Sequence, residues 1–101
     1  MPVVRQDVGP TFKLVIIEGP ARGHSILIRE DSFELGRQHL DPSNTAISRR
    51  HAVIRRRASD IWVEDISTNG IWVNHQRIHG EYMLSPGDHV RVGDSVLRLE
   101  M

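Results

Sequence analysis

The sequence predicts an all-β fold, an antiparallel sandwich or barrel of about ten short strands. Apolar residues alternate with period two over most of the chain, and no segment shows a convincing period of 3.6. Turn-forming residues also recur about every eight to twelve residues, which is typical of sandwiches and barrels. The 101 residues are the size of one domain, so one core has to hold these strands together.

Three strands are predicted in the first third of the chain, where alternating runs end at turn-forming residues. Their alternating residues are Phe12, Leu14 and Ile16, then Ile26 and Ile28, then Phe33 and Leu35. Residues 37–47 follow and contain Asp41-Pro42-Ser43-Asn44, a run that favours turns over strand pairing. We therefore expect this stretch to be a loop.

Short strands resume after the loop. Ala52 with Ile54, and Ile61 with Val63, each share one face of a strand, and residues 65–70 form a second turn-rich stretch. The remaining elements are a brief strand at 71–73, a hairpin turn at Asn74-His75 with Arg77-Ile78 as its return arm, a turn at 85–88, a strand containing Val90 and Val92, and a last strand at 96–100.

The predicted strands divide the chain into an N-terminal arm, residues 1–11, and one domain, residues 12–101. Predicted strands lie close to both ends of the sequence. We expect the domain to be part of a larger chain.

Composition excludes several classes of function. Thirteen Lys plus Arg balance 13 Asp plus Glu, so no net charge recruits nucleic acid or an anionic membrane. The absence of Cys excludes thiolate zinc sites and cysteine nucleophiles. No run of about 18 apolar residues and no signal-peptide pattern occurs, so we expect a cytoplasmic protein that does not bind membranes. The balanced charge leads us to expect no binding of nucleic acid. We also expect no metal and no cofactor.

Polar residues concentrate in the two turn-rich stretches, as Gly36-Arg37, Ser48-Arg49-Arg50-His51 and Ser67-Thr68-Asn69-Gly70, followed by Asn74. Because these motifs occur in this order and at this spacing, the chain resembles a forkhead-associated (FHA) domain over about residues 12 to 100. That family has Gly-Arg at the end of one strand, Ser-x-x-His before another and an Asn-Gly turn further on. The family usually has Asn-Gly where this chain has Asn74-His75.

The resemblance implies a two-sheet β-sandwich that binds phosphothreonine peptides through loops at one end. It places Arg37, Ser48 and Arg49 on the phosphate, with Thr68 beside it, and Asn69 on the main chain of the peptide. It implies that the remaining motif residues support the site: Gly36, His51, Gly70 and Asn74.

The residue types suit that task. A phosphoryl group carries about −1.5 to −2 charge at pH 7 and three acceptor oxygens. Guanidinium groups present a rigid fork of donors to such oxygens, and a serine hydroxyl adds another donor. An asparagine amide both donates and accepts, as reading a peptide main chain requires.

Each motif residue also has an ordinary structural explanation. Arg37 can be a solvated strand-end arginine, Ser48 a turn serine, and Asn69-Gly70 a plain turn. Arg49 and Arg50 would point to opposite sides of an extended strand, so we do not expect both to reach one phosphate, and the resemblance assigns the site to Arg49. For His51 we favour a buried support of the loop, because a neutral imidazole can hold two backbone groups.

Other functions are less well supported by the sequence. Ser48 and His51 would face opposite sides of an extended segment, and no Gly-x-Ser-x-Gly motif presents the serine as a nucleophile. The pair His75 and His79 lacks a third metal ligand, and the run 55–57 lacks the aromatic residues that stack on bases. We therefore expect a non-enzymatic module that docks a partner, or a segment of its parent protein, after phosphorylation by a Ser/Thr kinase. The alternative is an FHA-like assembly module that binds independently of phosphorylation.

Overall fold

The computed structural model describes residues 11–101 and contains ten strands and one short helix in that range. The strands are β1 (Phe12–Glu18), β2 (Ser25–Ile28), β3 (Ser32–Leu35), β4 (Ala52–Arg57), β5 (Asp60–Asp65), β6 (Trp72–Val73), β7 (Gln76–Arg77), β8 (Glu81–Leu84), β9 (His89–Val92) and β10 (Ser95–Glu100). Helix α1 (Arg37–Leu40) lies between β3 and β4. Apart from Thr11, the predicted N-terminal arm, residues 1–11, lies outside the described residues.

The strands form two antiparallel sheets. The six-stranded sheet has the order β2-β1-β10-β9-β6-β7, and the four-stranded sheet has the order β3-β4-β5-β8. Alternation buries one face of each sheet, so that Leu14 pairs with Leu99 in one sheet and Ile54 pairs with Val63 in the other. The predicted all-β, two-sheet antiparallel sandwich is confirmed.

The core lies between the sheets and extends under the long loops. Leu40 and Ile47, from the segment that joins β3 to β4, are as deeply buried as the strand residues. The largest fully buried side chains are Phe12, Leu14, Ile16, Ile28, Leu35, Leu40, Ile47, Ile54, Ile61, Ile71, Leu97 and Leu99. Burial of such side chains contributes about 1.5–3 kcal/mol each, and here it also fixes the loops that follow β3.

The prediction of a loop throughout residues 37–47 is wrong for its first turn, which is helix α1. The backbone N–H of Gly36 donates to Nδ1 of His39 at 3.0 Å, and the N–H of Asp41 donates to the carbonyl of Arg37 at 2.8 Å. Leu40 is buried and holds the turn against the core. A single turn is too short to produce a helical period in the sequence, so the pattern did not reveal it.

Strand β8 is the element that the sequence pattern did not predict. It lies at the edge of the four-stranded sheet and pairs only with β5 among the described strands. Tyr82 and Met83 are 39% and 48% exposed, and within β8 only Leu84 is buried. Unlike β2 and β3, whose partly buried Ile26 and Phe33 stand two residues before a buried side chain, β8 has no second buried position to alternate with Leu84.

The hairpin at Asn74-His75 forms where the sequence predicts it. Val73 pairs with Gln76 across the turn, and Asn74 and His75 have φ angles of 50° and 72°. Positive φ at both central positions is the geometry of a type I′ turn. His75 thus occupies a backbone conformation that favours glycine.

Replacing His75 with glycine is expected to raise the free energy of unfolding by about 0.5–1 kcal/mol. Relief of the left-handed strain, about 1–2 kcal/mol, exceeds the added chain entropy of the unfolded state. Urea denaturation measures the change, and His79→Gly provides the control because His79 has no positive φ. A His75→Gly protein no more stable than the parent would contradict the strain.

Within residues 11–101, no helix is long and apolar enough to cross a membrane.

Candidate functional site

Two long segments meet at one end of the sandwich, residues 36–51 before β4 and residues 66–71 before β6. The backbone N–H of His51 donates to the carbonyl of Leu35 at 2.9 Å. The N–H of Ile66 donates to the carbonyl of His51 at 3.2 Å. These bonds extend from the ends of β3, β4 and β5 and hold the bases of both segments together.

Gly36 brings the beginning and the end of the first segment into contact. A Cβ atom on Gly36 would lie 1.7 Å from the backbone carbonyl oxygen of Arg49, so no other residue fits without displacing that chain. The N–H of Arg37 also donates to the carbonyl of Ser48 at 3.1 Å. Arg37 and Arg49 are therefore neighbours in space although 12 positions separate them.

Arg37 is half-buried, and its guanidinium is fixed by the loop. Its Nε–H donates to the carbonyl of Ile47 at 2.8 Å, which leaves the terminal nitrogens able to donate elsewhere. Arg37 and Arg49 line one cavity of about 250 Å³, together with Gln38 and Pro42. Two cations thus face a single opening.

Ser48 connects the two segments through its side chain. Its Oγ accepts the backbone N–H of Thr68 at 3.2 Å. The hydroxyl proton of Ser48 has no acceptor within residues 11–101 and can be donated to a ligand. Thr68 is exposed, so the structure brings this residue beside Ser48 at the surface.

Asn69 lies in the second segment, residues 66–71, and its side chain reaches the first segment, residues 36–51. Its Nδ2 donates to the carbonyl of Ala46 at 2.8 Å. The amide oxygen and the second N–H have no partner within residues 11–101, so both can engage a peptide main chain. Beneath it, Ser67 Oγ donates to Asp65 Oδ1 at 2.5 Å and accepts the N–H of Gly70 at 2.7 Å.

His51 is fully buried between the two segments. Its Nδ1 accepts the N–H of Ser48 at 2.9 Å, and its Nε2 lies 2.8 Å from the carbonyl oxygen of Gly70. Because a backbone N–H can only donate and a carbonyl can only accept, the ring is the Nε2–H tautomer. The imidazole holds one backbone group from each segment and has no atom at the surface.

Arg50 and Asn74 lie apart from the cluster. Arg50 is paired with Glu34 at 2.7 Å on the outer surface of the four-stranded sheet, whereas Arg49 lines the cavity. Asn74 Nδ2 donates to Asp88 at 3.0 Å, and Asn74 Oδ1 accepts the N–H of His89 at 2.9 Å. Asn74 therefore joins the β6–β7 hairpin to the turn before β9, not to the loops that carry Arg37 or Ser48.

Three residues that hold the site together were not predicted from the sequence. The carbonyls of Ala46 and Ile47 fix Asn69 and Arg37, and the guanidinium of Arg77 lies against Gly70. Backbone acceptors leave no signal in residue type. Arg77 carries no motif either, because its contact with Gly70 depends on the pairing of β6 with β7.

The arrangement presents donors from several directions to one surface. Two guanidinium groups, a serine hydroxyl and an asparagine amide suit an oxyanion attached to an extended chain. Within residues 11–101, no group of three or more His, Asp or Glu side chains is placed to hold a metal ion. The geometry suits an anionic peptide.

Comparison with known proteins identifies relatives of this chain. The sequence profile of the FHA domain matches residues 25–93. The transcriptional regulatory protein EmbR of Mycobacterium tuberculosis is 35% identical over 80 residues, which is 73% of this chain and 20% of EmbR. The chain thus corresponds to about a fifth of the length of that regulator.

Two solved structures have the same fold. A structure from a study of phosphothreonine-dependent FHA domain interactions matches with a TM-score of 0.79 and 33% identity, covering 91% of this chain and 97% of that one. The FhaA FHA domain, in complex with the intracellular domain of a second protein, matches with a TM-score of 0.75 and 30% identity, covering 88% and 99% of the two chains.

Proposed function

Since the chain belongs to the FHA domain family, we propose that it binds phosphothreonine-containing segments of other proteins through the loops at one end of its sandwich. The observation that carries the proposal is that Arg37 and Arg49 line one cavity, while the backbone of Ser48 accepts the N–H of Arg37 beside it. A related structure comes from work on phosphothreonine-dependent interactions, which supports the same ligand.

Each residue has a distinct role in the proposal. The terminal nitrogens of Arg37 and the guanidinium of Arg49 bind phosphate oxygens, and Ser48 donates its hydroxyl proton to a third. Thr68 lies beside the phosphate, where its N–H already positions Ser48. Asn69 binds the main chain of the peptide through the amide atoms that Ala46 does not occupy.

Four residues support the site without binding the phosphate. Gly36 permits the close approach of the Arg49 backbone, and His51 links Ser48 to Gly70. Gly70, with a φ of 104°, leaves room for the guanidinium of Arg77. Asn74 acts at a distance, by fixing the hairpin that follows Ile71.

The domain is a non-enzymatic adaptor in this proposal. A Ser/Thr kinase phosphorylates the ligand, which is either a second protein or another segment of the parent chain, and the preformed loops then bind it. We place the domain in the cytoplasm, where such kinases and their substrates meet, and within a longer protein. Neither cofactor nor metal takes part.

A degenerate phosphothreonine peptide library tests the proposal. The purified chain is expected to select peptides that contain phosphothreonine and to ignore the matched threonine library. The Arg37→Ala protein, screened in parallel, separates selection by the site from adsorption to the rest of the surface. Failure of the unsubstituted domain to select any phosphorylated peptide would favour a phosphorylation-independent assembly module.

Affinity for a phosphothreonine peptide is expected to fall about fourfold between about pH 7.5 and about pH 5.5. The second pKa of the phosphate is about 6, so the dianion decreases to about a quarter of the ligand over this range, while both arginines stay charged. Titrations at several pH values measure the change, with thermal melts to establish that the domain stays folded. A rise in affinity on acidification would contradict the expectation and place a protonated imidazole near the phosphate.

A further inference from the structure

A second cationic surface lies on the outer face of the six-stranded sheet, around Trp72. Trp72 pairs with Arg77 on β7 and with Arg91 on β9, so the three side chains share one face. The guanidinium carbons of Arg77 and Arg91 lie 5.5 Å and 4.9 Å from the centre of the indole ring. We call these three residues the Trp72 surface.

The Trp72 surface adjoins a cavity of about 340 Å³. Trp72 and Val96 are its apolar lining residues, and its other lining side chains are polar. Arg91 shares this lining with two imidazoles and with one carboxylate, Glu18, which is separated from Arg91 by Val96 in the strand register. The lining residues are Glu18, Trp72, His75, His89, Arg91 and Val96.

Within residues 11–101, the arginines of the Trp72 surface have no carboxylate partner like those that neutralise arginines on the opposite face. On the four-stranded sheet, Arg57 stacks on Trp62 at 5.3 Å and is also paired with Glu81 at 2.6 Å. Its hydrogen bond holds the pKa of the Glu81 carboxyl below the usual value. Within residues 11–101, no Asp or Glu oxygen lies within 4.0 Å of Arg77 or Arg91.

The side chain of Arg77 connects this surface to the second loop segment of the candidate site. A Cβ atom on Gly70 would lie 2.8 Å from Nε of Arg77, so the Arg77 side chain reaches from Gly70, beside Asn69, to the Trp72 ring. Trp72 itself lies about 7 Å along the chain from Gly70. An extended ligand bound at Asn69 can therefore reach Arg91 within about four to eight residues.

We propose that the Trp72 surface binds an acidic segment of the same partner that presents the phosphothreonine. Aspartate or glutamate carboxylates pair with Arg77 and Arg91, and the stems of these side chains pack on Trp72 and Val96. The proposal deepens the proposed function and rests on it for the identity of the partner. A nucleic acid would carry its phosphates beyond the two arginines. There the carboxylate of Glu18 repels them, and the formal net charge of zero provides no general attraction.

The two indole N–H groups of the chain serve as reporters in an NMR titration. Trp72 lies on the proposed surface, and Trp62 lies on the other sheet as an internal control. An unphosphorylated octapeptide of alternating glutamate and glycine is expected to shift the Trp72 signal and to leave the Trp62 signal unchanged. Arg91→Gln is expected to weaken this binding about fivefold, whereas Arg57→Gln, the matched arginine stacked on Trp62, leaves it unchanged.

A second titration joins the two sites in one ligand. Two phosphothreonine peptides are tested. Each carries four glutamates placed four to eight residues from the phosphothreonine, on its N-terminal side in one peptide and on its C-terminal side in the other. We expect one of the two to bind about fivefold tighter than the same peptide with glutamines, and we expect Arg91→Gln to abolish only this gain. An equal gain in the Arg91→Gln protein would overturn the proposal.

The two titrations distinguish failure of the proposed surface from failure of the proposed function. If the glutamate octapeptide shifts Trp72 but no phosphothreonine peptide binds, the surface stands and the proposed function is wrong. If phosphothreonine peptides bind but the octapeptide does not shift Trp72, the proposed function stands and the surface is wrong. An oligothymidylate that shifts Trp72 at lower concentration than the octapeptide would also overturn the proposal, in favour of nucleic acid.

Discussion

Replacing Arg37 with alanine is expected to weaken binding of a phosphothreonine peptide about 10- to 150-fold, or about 1.5–3 kcal/mol. The value is that of a hydrogen bond to a charged group, and here the donor is held in place before the ligand arrives. The Nε–H bond to Ile47 orients the guanidinium toward the cavity that Arg49 also lines. Calorimetry with one peptide and both proteins measures the loss.

Two further variants control this experiment. Arg50→Ala removes an arginine of the same loop that is paired with Glu34 on the outer surface, and its effect on affinity is expected to stay within about twofold. Arg37→Lys keeps the charge but loses the planar fork of donors. Its affinity for the peptide is expected to lie between those of the Arg37→Ala and Arg50→Ala proteins. An Arg37→Ala protein with the parent affinity would remove Arg37 from the phosphate.

Replacing His51 with alanine is expected to lower the free energy of unfolding by about 3 kcal/mol or more. Alanine leaves the N–H of Ser48 and the carbonyl of Gly70 buried without their partners, at about 1–3 kcal/mol each, and adds a cavity. The melting temperature should fall by about 12–24 °C. Peptide affinity falls as well, because Ser48 and Gly70 belong to the two segments that form the site.

The exposed His79 provides the matched control for His51. His79→Ala is expected to change the free energy of unfolding by less than about 0.5 kcal/mol, since its side chain has no hydrogen-bond partner within residues 11–101. Thermal melts and peptide titrations are recorded for both variants. If His51→Ala abolishes binding with an unchanged melting temperature, then His51 contacts the ligand directly and the support role is wrong.

Alternating apolar residues and turn signals predicted every described strand except β8, and they also missed helix α1. Strands such as β1 and β5 alternate between core and surface, and both were predicted. Strand β8 has one buried residue at a sheet edge, and helix α1 is a single turn held by Leu40 and by the bond from Gly36 to His39. Neither produces a period that a sequence window can detect.

The residue types of the candidate site were predicted from its motifs, whereas the contacts that position them were not. Gly36 touches Arg49, and Asn69 bonds to the carbonyl of Ala46, across 13 and 23 positions of the chain. Such contacts depend on how the two long segments fold over the sandwich. The Trp72 surface shows the same limit, because Arg77, Trp72 and Arg91 meet only through strand pairing.

Isothermal titration calorimetry with one phosphothreonine peptide and its unphosphorylated twin tests whether the domain recognises the phosphate. The peptide is the one that the library screen selects, and its twin differs only by the phosphate. We expect micromolar binding of the phosphorylated peptide, about −8 kcal/mol, and at least about 100-fold weaker binding of the twin. Affinities within twofold of each other would show that phosphate has no part in recognition and would contradict the account.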